Sequence, residues 1–448
     1  MLQAVSNALR IAEVRSKILF TLAMLLIYRL IAHIPVPYTN AEGISSVVDS
    51  NQLLGILNLF SGGALQNFSI AAMGVYPYIT ASIIVQLLQP LIPALEEWSK
   101  EGESGRNKMN RLQYYVTVPL ALLQAFGQTR TLAVATSGSG SLFEEGFQFT
   151  LFSGQFLLPT LTILLSMTAG TMLLVWMGEL IDERGIGNGI SMLIFGGIVA
   201  RLFATVTQIF QSDVLGNIVG LVIFGAVLLL TLFAIVVVQE GVRRIPVQYM
   251  RRMKGNKVYG GQNTHIPLKV NMAGMIPLIF AQSILLFPGV VASYFCNLAD
   301  NTAGNIGNRI ACGVYNTFSP NQQTGNVIYA LLLFLMVVGF TYFYTVVLFA
   351  QQNLPDSLKN NGGFIPGIRP GKATEIYLGK VLNRITLAGA LFLGIIAVLP
   401  YITAGLTNNQ NLALSATALL IVVGVAVDTM RQLESQLMMR NYEGYLTR

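Results

Sequence analysis

Few side chains in this sequence are of types that perform chemistry, and their spacing favours none of the usual sites. The chain has 448 residues with only two histidines, His33 and His265, and two cysteines, Cys296 and Cys312. Neither pair has companions at the spacing of a metal site, so we interpret the histidines as ordinary polar residues. The G-x-S-x-G and H-E-x-x-H motifs of hydrolases are absent from the sequence.

A glycine-bounded loop at Gly367–Ala373, GIRPGKA, comes nearest to a phosphate-binding loop. It has three residues between its glycines where the phosphate loop has four, and Ala373 stands where a hydroxyl must hold magnesium. We therefore expect no ATP binding at this loop, no cofactor and no enzymatic activity. Any energy that the protein uses must come from a partner or from a gradient.

The composition indicates that most of the protein's surface faces lipid. Hydrophobic residues make up 53% of the chain and charged residues 10%, and the mean hydropathy is +0.61. A soluble domain carries about 25% charged residues. The apolar run Ile18–Ile34 follows a basic segment but lacks a small-residue cleavage site, so we expect this first span to be retained.

Ten apolar runs are long enough to cross a membrane as helices. In chain order they are Ile18–Ile34, Ala71–Leu95, Tyr114–Ala135, Phe156–Met177, Ile190–Thr207, Ile218–Val238, Met272–Phe295, Val327–Ala350, Ile385–Ile402 and Leu412–Val427. The runs predict an all-α polytopic membrane protein. They fall into two pseudo-symmetric halves of five spans, residues 1–207 and 208–448.

A short apolar stretch at 57–70, LNLFSGGALQNFSI, precedes the second span and is too short to cross a membrane. Ser61, Gly62 and Gly63 interrupt it after a few residues. The stretch predicts a short re-entrant helix, weakly helical, that dips into the outer side of the membrane and returns. We expect such a segment to be displaced at little cost.

The basic residues predict the orientation of the spans. If both termini lie on one side, as ten spans require, every Lys and Arg lies on that side except Arg29, Arg130, Arg201 and Arg309. Positive charge stays inside, so both termini are expected in the cytoplasm.

Two cytoplasmic loops, 239–271 and 351–384, are longer than a helix connection needs and hold many of these charges. The first has the alternation typical of a short hairpin, with a basic tip. The charge has two explanations. One is the positive-inside bias with attraction to anionic lipid, and the other is a docking surface that steers a large acidic partner.

Acidic residues such as Glu179, Asp182 and Glu240 lie at the ends of spans or in loops. Ion-coupled carriers usually place carboxylates or histidines inside the membrane, which argues against a secondary transporter for a small solute. Glycine and proline interruptions argue against a plain membrane anchor or assembly platform, which needs no irregular backbone at depth. Both alternatives stay open, beside a path that selects no particular ion or metabolite.

Six stretches together carry a family resemblance. In chain order they are LFSGGALQNFSI, PYITASIIVQLL, KEGESGRNK, GELIDERGIGNGISMLIF, THIPLKVNMAGMIPLIFAQSILLFP and GGFIPGIRPGKAT. In this order and spacing they resemble the SecY family, the central subunits of the bacterial protein-conducting channel. The resemblance covers nearly the whole chain from about Val14. It implies a channel in the bacterial plasma membrane that translocates unfolded secretory polypeptides and releases membrane-protein segments sideways into lipid.

The resemblance also implies an apolar ring that closes the pore, with a plug beneath it. The implied ring residues are Val75, Ile79, Ile190, Ile194, Ile279 and Ile421, and the implied plug residues are Leu59, Phe60, Ser61, Gly62, Gly63, Ala64 and Leu65. Two pairs of ring residues are spaced i,i+4, so each pair stacks on one helix face. Branched aliphatic side chains seal a pore by dewetting and offer no polar atom to a passing residue.

A lateral gate between spans two and seven and a cytoplasmic docking surface complete the implied sites. The implied gate residues are Thr80, Gln86, Asn271, Gln282 and Phe287, and the implied docking residues are Arg243, Arg244, Arg251, Arg252, Lys254, Lys257, Arg369 and Lys372. The implied partners are small SecE- and SecG-type membrane subunits, the SecA ATPase, the translating ribosome with its RNA, signal peptides and nascent polypeptides, and the bilayer.

The two cysteines flank an outer loop, CNLADNTAGNIGNRIAC, after the seventh span. On an oxidising side of the membrane they would be able to form a disulfide. The sequence leaves the disulfide and a pair of free thiols equally open.

Overall fold

The computed structural model describes residues 11–39, 44, 48, 54–55, 57–58, 61–136, 143, 156–211, 218–249, 252–254, 257–259, 263–274, 276–295, 306–318, 325–352, 354–360, 362–407 and 421–437. The helices, numbered in chain order, are α1 (Ala12–Ile31), α2 (Tyr76–Leu88), α3 (Pro93–Lys100), α4 (Glu103–Thr136), α5 (Leu157–Arg184), α6 (Gly189–Gln211), α7 (Ile218–Glu240), α8 (Ile276–Phe295), α9 (Ile306–Phe318), α10 (Gly325–Gln352), α11 (Leu354–Asn360), α12 (Lys372–Thr407) and α13 (421–437). The strands are β1 (Val242–Tyr249), β2 (Arg252–Lys254), β3 (Lys257–Tyr259), β4 (Asn263–Lys269) and β5 (Gly363–Phe364).

Among the described residues, three helices are long and apolar enough to cross a membrane: Leu157–Arg184, Val327–Asn360 and Lys372–Leu399. A fourth is reached if Tyr76–Leu88 and Pro93–Ser99, which meet at a bend of 103°, count as one span. Each of the ten predicted spans overlaps a described helix. The helical membrane architecture is therefore confirmed, and the count of ten crossings stays a prediction.

The predicted second span, Ala71–Leu95, is wrong at its start. Residues 61–75 form consecutive turns, and α2 begins at Tyr76. The reason is Gly74, whose φ of +57° lies outside the helical region. Pro77 then occupies the first turn of α2, where a proline is favoured because its missing N–H would have no helical partner.

The same span is also wrong at its end, because α2 stops at Leu88 and α3 leaves at a steep angle. Pro90 and Pro93 stand in and just after the break. Neither residue has an N–H to continue the helical hydrogen bonds, so the chain cannot pass through them as one straight helix. The 13 residues of α2 cover about 20 Å, which is short of the ~30 Å hydrocarbon core.

The seventh predicted span, Met272–Phe295, begins four residues too early, since α8 starts at Ile276. Pro277 lies in the first turn, where a proline is tolerated, and the helix continues through Pro288. Neither proline therefore interrupts α8.

Helix α9 lies between the seventh and eighth predicted spans, where the sequence predicted no element. Its 13 residues are too few to cross a membrane, so a search for apolar spans passes over it. Cys312 lies in α9 and is disulfide-bonded, which decides the question that the sequence left open. Cys296, the only other cysteine in the chain, lies outside the described residues.

By its internal contacts the chain divides into two compact units. Unit 1 comprises Met1–Leu228, Ser283–Ala330 and Pro400–Arg448, and unit 2 comprises Leu229–Gln282 and Leu331–Leu399. These boundaries differ from the two predicted halves, which stay a prediction.

In unit 1, helix α1 is tied to the turn between α5 and α6 and to α13. Val14, Ile186 and Leu433 form a buried apolar cluster. The hydroxyl of Thr21 accepts a hydrogen bond from the main-chain N–H of Ile186 at 3.1 Å. The turn between α5 and α6 is therefore held by α1 and by α13.

Unit 2 contains a three-stranded antiparallel sheet in the order β4-β1-β5. Strands β1 and β4 pair along their length, and Gln248 of β1 also lies opposite Phe364 of β5. Because β5 comes from loop 351–384 while β1 and β4 come from loop 239–271, the two predicted cytoplasmic loops share one sheet.

A buried apolar core joins this sheet to α11 and α12. Its members are Ile245, Val247, Leu268, Leu358, Ile365, Leu378 and Val381. Beyond the sheet, β2 and β3 form a second antiparallel pair in which Lys254 lies opposite Lys257. A basic tip between antiparallel strands is therefore present as predicted, but the pairing differs from the predicted short hairpin of RIPVQYM with KVYGG. The first stretch lies in β1, which pairs with β4, and the second begins with β3, which pairs with β2.

Candidate functional site

Four of the predicted ring residues lie at the N-terminal ends of two helices in unit 1. Val75 is the N-cap residue of α2, and Ile79 lies in the first turn of that helix. Ile190 and Ile194 lie in the first two turns of α6. Val75, Ile79 and Ile194 are buried, and Ile190 is half-buried.

The two remaining ring residues come from later in the chain. Ile421 is the first described residue of α13, is buried and also belongs to unit 1. Ile279 lies in the first turn of α8 and belongs to unit 2. The convergence of all six residues stays a prediction.

The start of α6 is fixed by two side chains. Asn188 Oδ1 accepts a hydrogen bond from the N–H of Ser191 at 3.0 Å, and Asp182 Oδ1 accepts one from the N–H of Gly189 at 2.7 Å. A Cβ at Gly189 would collide with the carbonyl oxygen of Gly178 in α5. These two capping bonds stabilise the start of α6.

The predicted re-entrant helix at 57–70 is helical only in its first described residues, Leu57 and Asn58. Residues 61–75 form turns with one bridge at Ser69 instead, and we call residues 61–70 the glycine strap. Gly62 and Gly63 have φ of +64° and +88°, a left-handed conformation that ends a helix and that glycine adopts at least cost.

Of the predicted plug residues, Leu59 and Phe60 lie outside the described residues. Ser61, Ala64 and Leu65 belong to the glycine strap and have no exposed surface. This burial shows that the described part of the plug sequence is packed inside the protein.

The last turn of α1 holds the first turn of the glycine strap. The hydroxyl of Tyr28 donates a hydrogen bond to the carbonyl oxygen of Ser61 at 2.8 Å. The guanidinium of Arg29 donates one to the carbonyl oxygen of Gly62 at 3.1 Å. The charge that the sequence placed inside the first span therefore has a defined partner.

Gly62 packs directly against the backbone of α6. A Cβ on Gly62 would collide with the hydroxyl of Tyr28 and would lie 2.6 Å from Cα of Gly197. The reciprocal Cβ on Gly197 would lie 2.5 Å from Cα of Gly62. Only glycine fits on either side of this contact.

The far end of the glycine strap pairs with the segment that follows α1. The N–H of Val36 donates to the carbonyl oxygen of Phe68, and the N–H of Ile70 donates to that of Ile34, both at 3.0 Å. Bonds at both ends of the strap make its displacement more costly than the sequence predicted, because each must be broken or replaced.

The polar side chains of the predicted gate bond within their own segments. Thr80 donates to a carbonyl oxygen one turn back in α2 at 3.0 Å. Gln86 donates to Ser82 at 3.1 Å, and Asn271 donates to the carbonyl oxygen of Gly274 at 3.0 Å. These local bonds leave the gate role of these residues a prediction.

The other two predicted gate residues lie on α8. The amide oxygen of Gln282 is buried and has no hydrogen-bond partner among the described residues. The side chain of Phe287 is 47% exposed on the described surface.

A direct polar contact between α2 and α8 was missed by the sequence reasoning. The hydroxyl of Tyr76 donates a hydrogen bond to the main-chain carbonyl oxygen of Ser283 at 3.0 Å, in a buried setting. Two positions later, the hydroxyl of Tyr78 donates to Oε1 of Gln113 in α4 at 3.1 Å. The signal in the sequence was a pair of tyrosines around Pro77, since a buried tyrosine hydroxyl needs a partner.

The described docking residues all belong to unit 2. They are Arg243 and Arg244 in β1, Arg252 and Lys254 in β2, Lys257 in β3, Arg369 in the loop before α12, and Lys372, the first residue of α12. Arg251 lies outside the described residues. Arg243, Arg244, Arg369 and Lys372 are exposed.

The loop that carries Arg369 is shaped by two glycines and a threonine. Gly367 and Gly371 have φ of +82° and +100°. The hydroxyl of Thr374, which is buried, donates to the carbonyl oxygen of Arg369 at 3.0 Å. The turn therefore presents an exposed guanidinium from an ordered backbone.

Comparison with known proteins gives one consistent family. The SecY family model matches residues 69–430. The protein translocase subunit SecY of Mycobacterium bovis is 44% identical to the chain, that of Streptomyces coelicolor 42% and that of Halalkalibacterium halodurans 41%, each over the full length of both proteins.

Solved structures agree in fold. A protein-conducting channel matches with a TM-score of 0.59 and 16% identity, covering 93% of this chain and 92% of that one. Sec61 in a canine ribosome–channel complex from the endoplasmic reticulum matches with a TM-score of 0.57 and 15% identity, with the same coverage.

Proposed function

The chain belongs to the SecY family of protein-conducting channels, and from this premise we propose its function. It carries unfolded secretory polypeptides across the bacterial plasma membrane and releases membrane-protein segments sideways into the lipid. It is a channel and not an enzyme, so the work of transport comes from its partners.

One observation carries the proposal: the curated protein translocase subunits match over the full length of the chain. No part of the chain is left for a different activity. The buried glycine strap beside Val75 supports the same conclusion. Irregular backbone in a membrane protein is tolerated where it is packed in protein or lines an aqueous path, and a plain anchor needs neither.

The pore is closed by an apolar ring of Val75, Ile79, Ile190, Ile194, Ile279 and Ile421. The burial of Val75, Ile79, Ile194 and Ile421 supports a dry constriction. Aliphatic side chains exclude water and ions when they meet, and they move apart for an extended chain without binding it.

Beneath the ring, the plug comprises Leu59–Leu65. Its closed position is held by the hydrogen bonds from Tyr28 and Arg29 to the glycine strap. A translocating chain must supply the free energy to break these bonds, so the plug opens only when a substrate enters.

The lateral exit lies between α2 and α8. It is lined by Thr80, Gln86, Asn271, Gln282 and Phe287. Polar contacts between membrane helices stabilise association by ~0.6–2 kcal/mol each, which closes an exit without locking it.

Partners dock on the cytoplasmic face through the basic residues of the two loops. SecA and the translating ribosome bind there in turn. SecA brings ATP hydrolysis, and ribosomal RNA is a polyanion that basic side chains bind with strong salt dependence. The related Sec61 channel has been solved in a ribosome complex, which supports the ribosome as a partner. Small SecE- and SecG-type subunits complete the assembly.

Both termini lie in the cytoplasm. The positive-inside rule supports this orientation, since the basic loops and the basic termini then share one side.

Reconstitution tests the function directly. We expect vesicles that contain the chain and its SecE- and SecG-type subunits to take up an unfolded precursor when SecA and ATP are added. The uptake is measured as precursor protected from external protease. If the parent chain gives no protected precursor, the proposed function is wrong.

Arg369→Glu in the same vesicles tests the docking surface. Charge reversal at an exposed, ordered position should abolish SecA-driven uptake and leave the amount of protein in the membrane unchanged. Lys359→Glu is the matched control, because Lys359 is exposed in α11 of the same unit and is not among the proposed docking residues. Parent-level uptake by Arg369→Glu would contradict the docking role.

A further inference from the structure

The hydroxyl of Tyr76 joins two helices that are distant in sequence. It donates to the carbonyl oxygen of Ser283, 207 residues away, at 3.0 Å. Tyr76 is only 6% exposed, so water does not compete freely for the bond. Both residues belong to unit 1, and they connect the start of α2 to the middle of α8.

The geometry of the bond allows it to break without damage to either helix. A main-chain carbonyl oxygen has two lone pairs, so the carbonyl of Ser283 can accept both its own helical bond and the tyrosine hydroxyl. Tyr76 is the first residue of α2, and its side chain is not part of the helical ladder. Separation of α2 from α8 therefore loses this bond and leaves both ladders intact.

The surroundings of the bond are buried and polar. The hydroxyl of Ser283 is buried and has no hydrogen-bond partner among the described residues. Tyr329 and Tyr401 lie in the same unit with ring centroids 5.4 Å apart, and Tyr76 is near enough to Tyr329 to interact with it electrostatically. The hydroxyl of Tyr76 is bonded, and the hydroxyl of Ser283 is not. The buried hydrogen-bonding groups of the closed contact are therefore only partly satisfied, which favours a contact that opens readily.

We propose that Tyr76 sets the stringency of the lateral exit: its hydroxyl holds α2 to α8, and an entering segment must compensate for the loss of that bond. The segment is an apolar helix of a signal peptide or membrane protein, since an apolar surface gains most by entering between two membrane helices. This inference rests on the proposed function. Thr80 and Gln86 were predicted to line the exit, but both bond within α2. The bond from Tyr76 instead crosses from α2 to α8.

The experiment compares Tyr76→Phe with Tyr78→Phe. Each substitution removes one hydroxyl from α2 and keeps the ring. Tyr78 bonds to Gln113 of α4, so its variant loses a hydrogen bond of the same kind without touching the contact to α8. Tyr76→Met is a second variant that removes the hydroxyl with a flexible side chain.

The measurement is the uptake of a precursor with a defective signal relative to one with an intact signal, at equal amounts of channel in the vesicles. For Tyr76→Phe and Tyr76→Met we expect this ratio to rise ~3- to 30-fold, as the loss of one interhelical polar contact predicts. The intact precursor should be taken up as by the parent, and Tyr78→Phe should leave the ratio unchanged.

An equal rise in Tyr78→Phe would overturn the proposal, because a general loosening of α2 would explain it. An unchanged ratio in both Tyr76 variants would also overturn it. No uptake of the intact precursor by the parent chain would overturn the proposed function itself, and this inference with it.

Discussion

At the scale of single residues, glycine decides which backbones lie against each other in this protein. The backbones of Gly62 and Gly197 lie too close together for a Cβ on either residue, and the carbonyl oxygen of Gly178 occupies the place of a Cβ on Gly189. Each contact lies beside a proposed ring residue or the plug. The positions of these glycines therefore fix how closely α6 approaches the strap and α5.

Gly62→Ala should be strongly destabilising for two reasons, backbone strain and a steric clash. Gly63→Ala separates them, because it carries the strain without the clash. Both Gly62 and Gly63 have positive φ, so an alanine at either position carries ~1–2 kcal/mol of backbone strain. Only at Gly62 does the new Cβ also collide with Tyr28 and Gly197; at Gly63 the nearest atom is 3.8 Å away. We expect Gly62→Ala to lower the thermal midpoint well beyond Gly63→Ala. Equal midpoints would contradict the packing.

Residue types alone could predict part of the site. The i,i+4 spacing of Val75 with Ile79 and of Ile190 with Ile194 is visible in the sequence, and both pairs lie at helix starts in the structure. The partner of Tyr76 is not visible. A hydrogen bond across 207 residues leaves no local pattern, and hydropathy gives no sign of a hydroxyl that must find an acceptor.

At the scale of elements, long apolar runs predict where the helices lie, whereas glycine and proline determine where those helices begin and end. The run Ala71–Leu95 is apolar throughout, yet the helix inside it covers only Tyr76–Leu88. The positive φ of Gly74 and the prolines at 90 and 93 determine those ends. Signals of this kind were present in the sequence but were outweighed by the length of the apolar run.

The three-stranded sheet should behave as one folded element. Leu268 of β4 is 1% exposed in its core, and truncation of such a side chain costs ~2–5 kcal/mol. We expect Leu268→Ala to make loops 239–271 and 351–384 sensitive to trypsin together, because both contribute strands to the sheet. Gel electrophoresis of membranes after mild trypsin digestion measures the cleavage of each loop.

Thr264→Ala is the control for this truncation, since Thr264 is exposed on the same strand. It should leave both loops as resistant as in the parent chain. Cleavage of only one loop in Leu268→Ala would contradict a shared core.

At the scale of the whole molecule, sequence reasoning reached the family and the helical membrane architecture but not the joining of distant segments. The pairing of Gln248 with Phe364 unites two loops that the sequence treats separately. Periodicity describes one segment at a time, so it cannot show which two loops meet. Helix α9 was missed for a different reason. Its 13 residues are fewer than a membrane span needs, so a search for long apolar runs does not detect it.

Deletion of Phe60–Asn67 should leave a channel that folds but conducts ions in the resting state. The deletion removes the described plug residues and the acceptors of the bonds from Tyr28 and Arg29. Conductance across planar bilayers measures the leak, and export of precursors with defective signals should rise with it. An eight-residue deletion at 297–304 is the control. A tight and stringent plug deletion would contradict the proposed seal.

The contact between Gly62 and Gly197 has a consequence for the order of synthesis. The partner of Ser61 in α1 lies 33 residues upstream and is already made when Ser61 is added. Gly197 follows Gly62 by about 135 residues, which at 5–20 residues per second takes roughly 7–27 s. During that interval the strap can bond to α1 but cannot yet pack against α6. The packing of the strap against α6 is therefore completed only after Gly197 has been added to the chain.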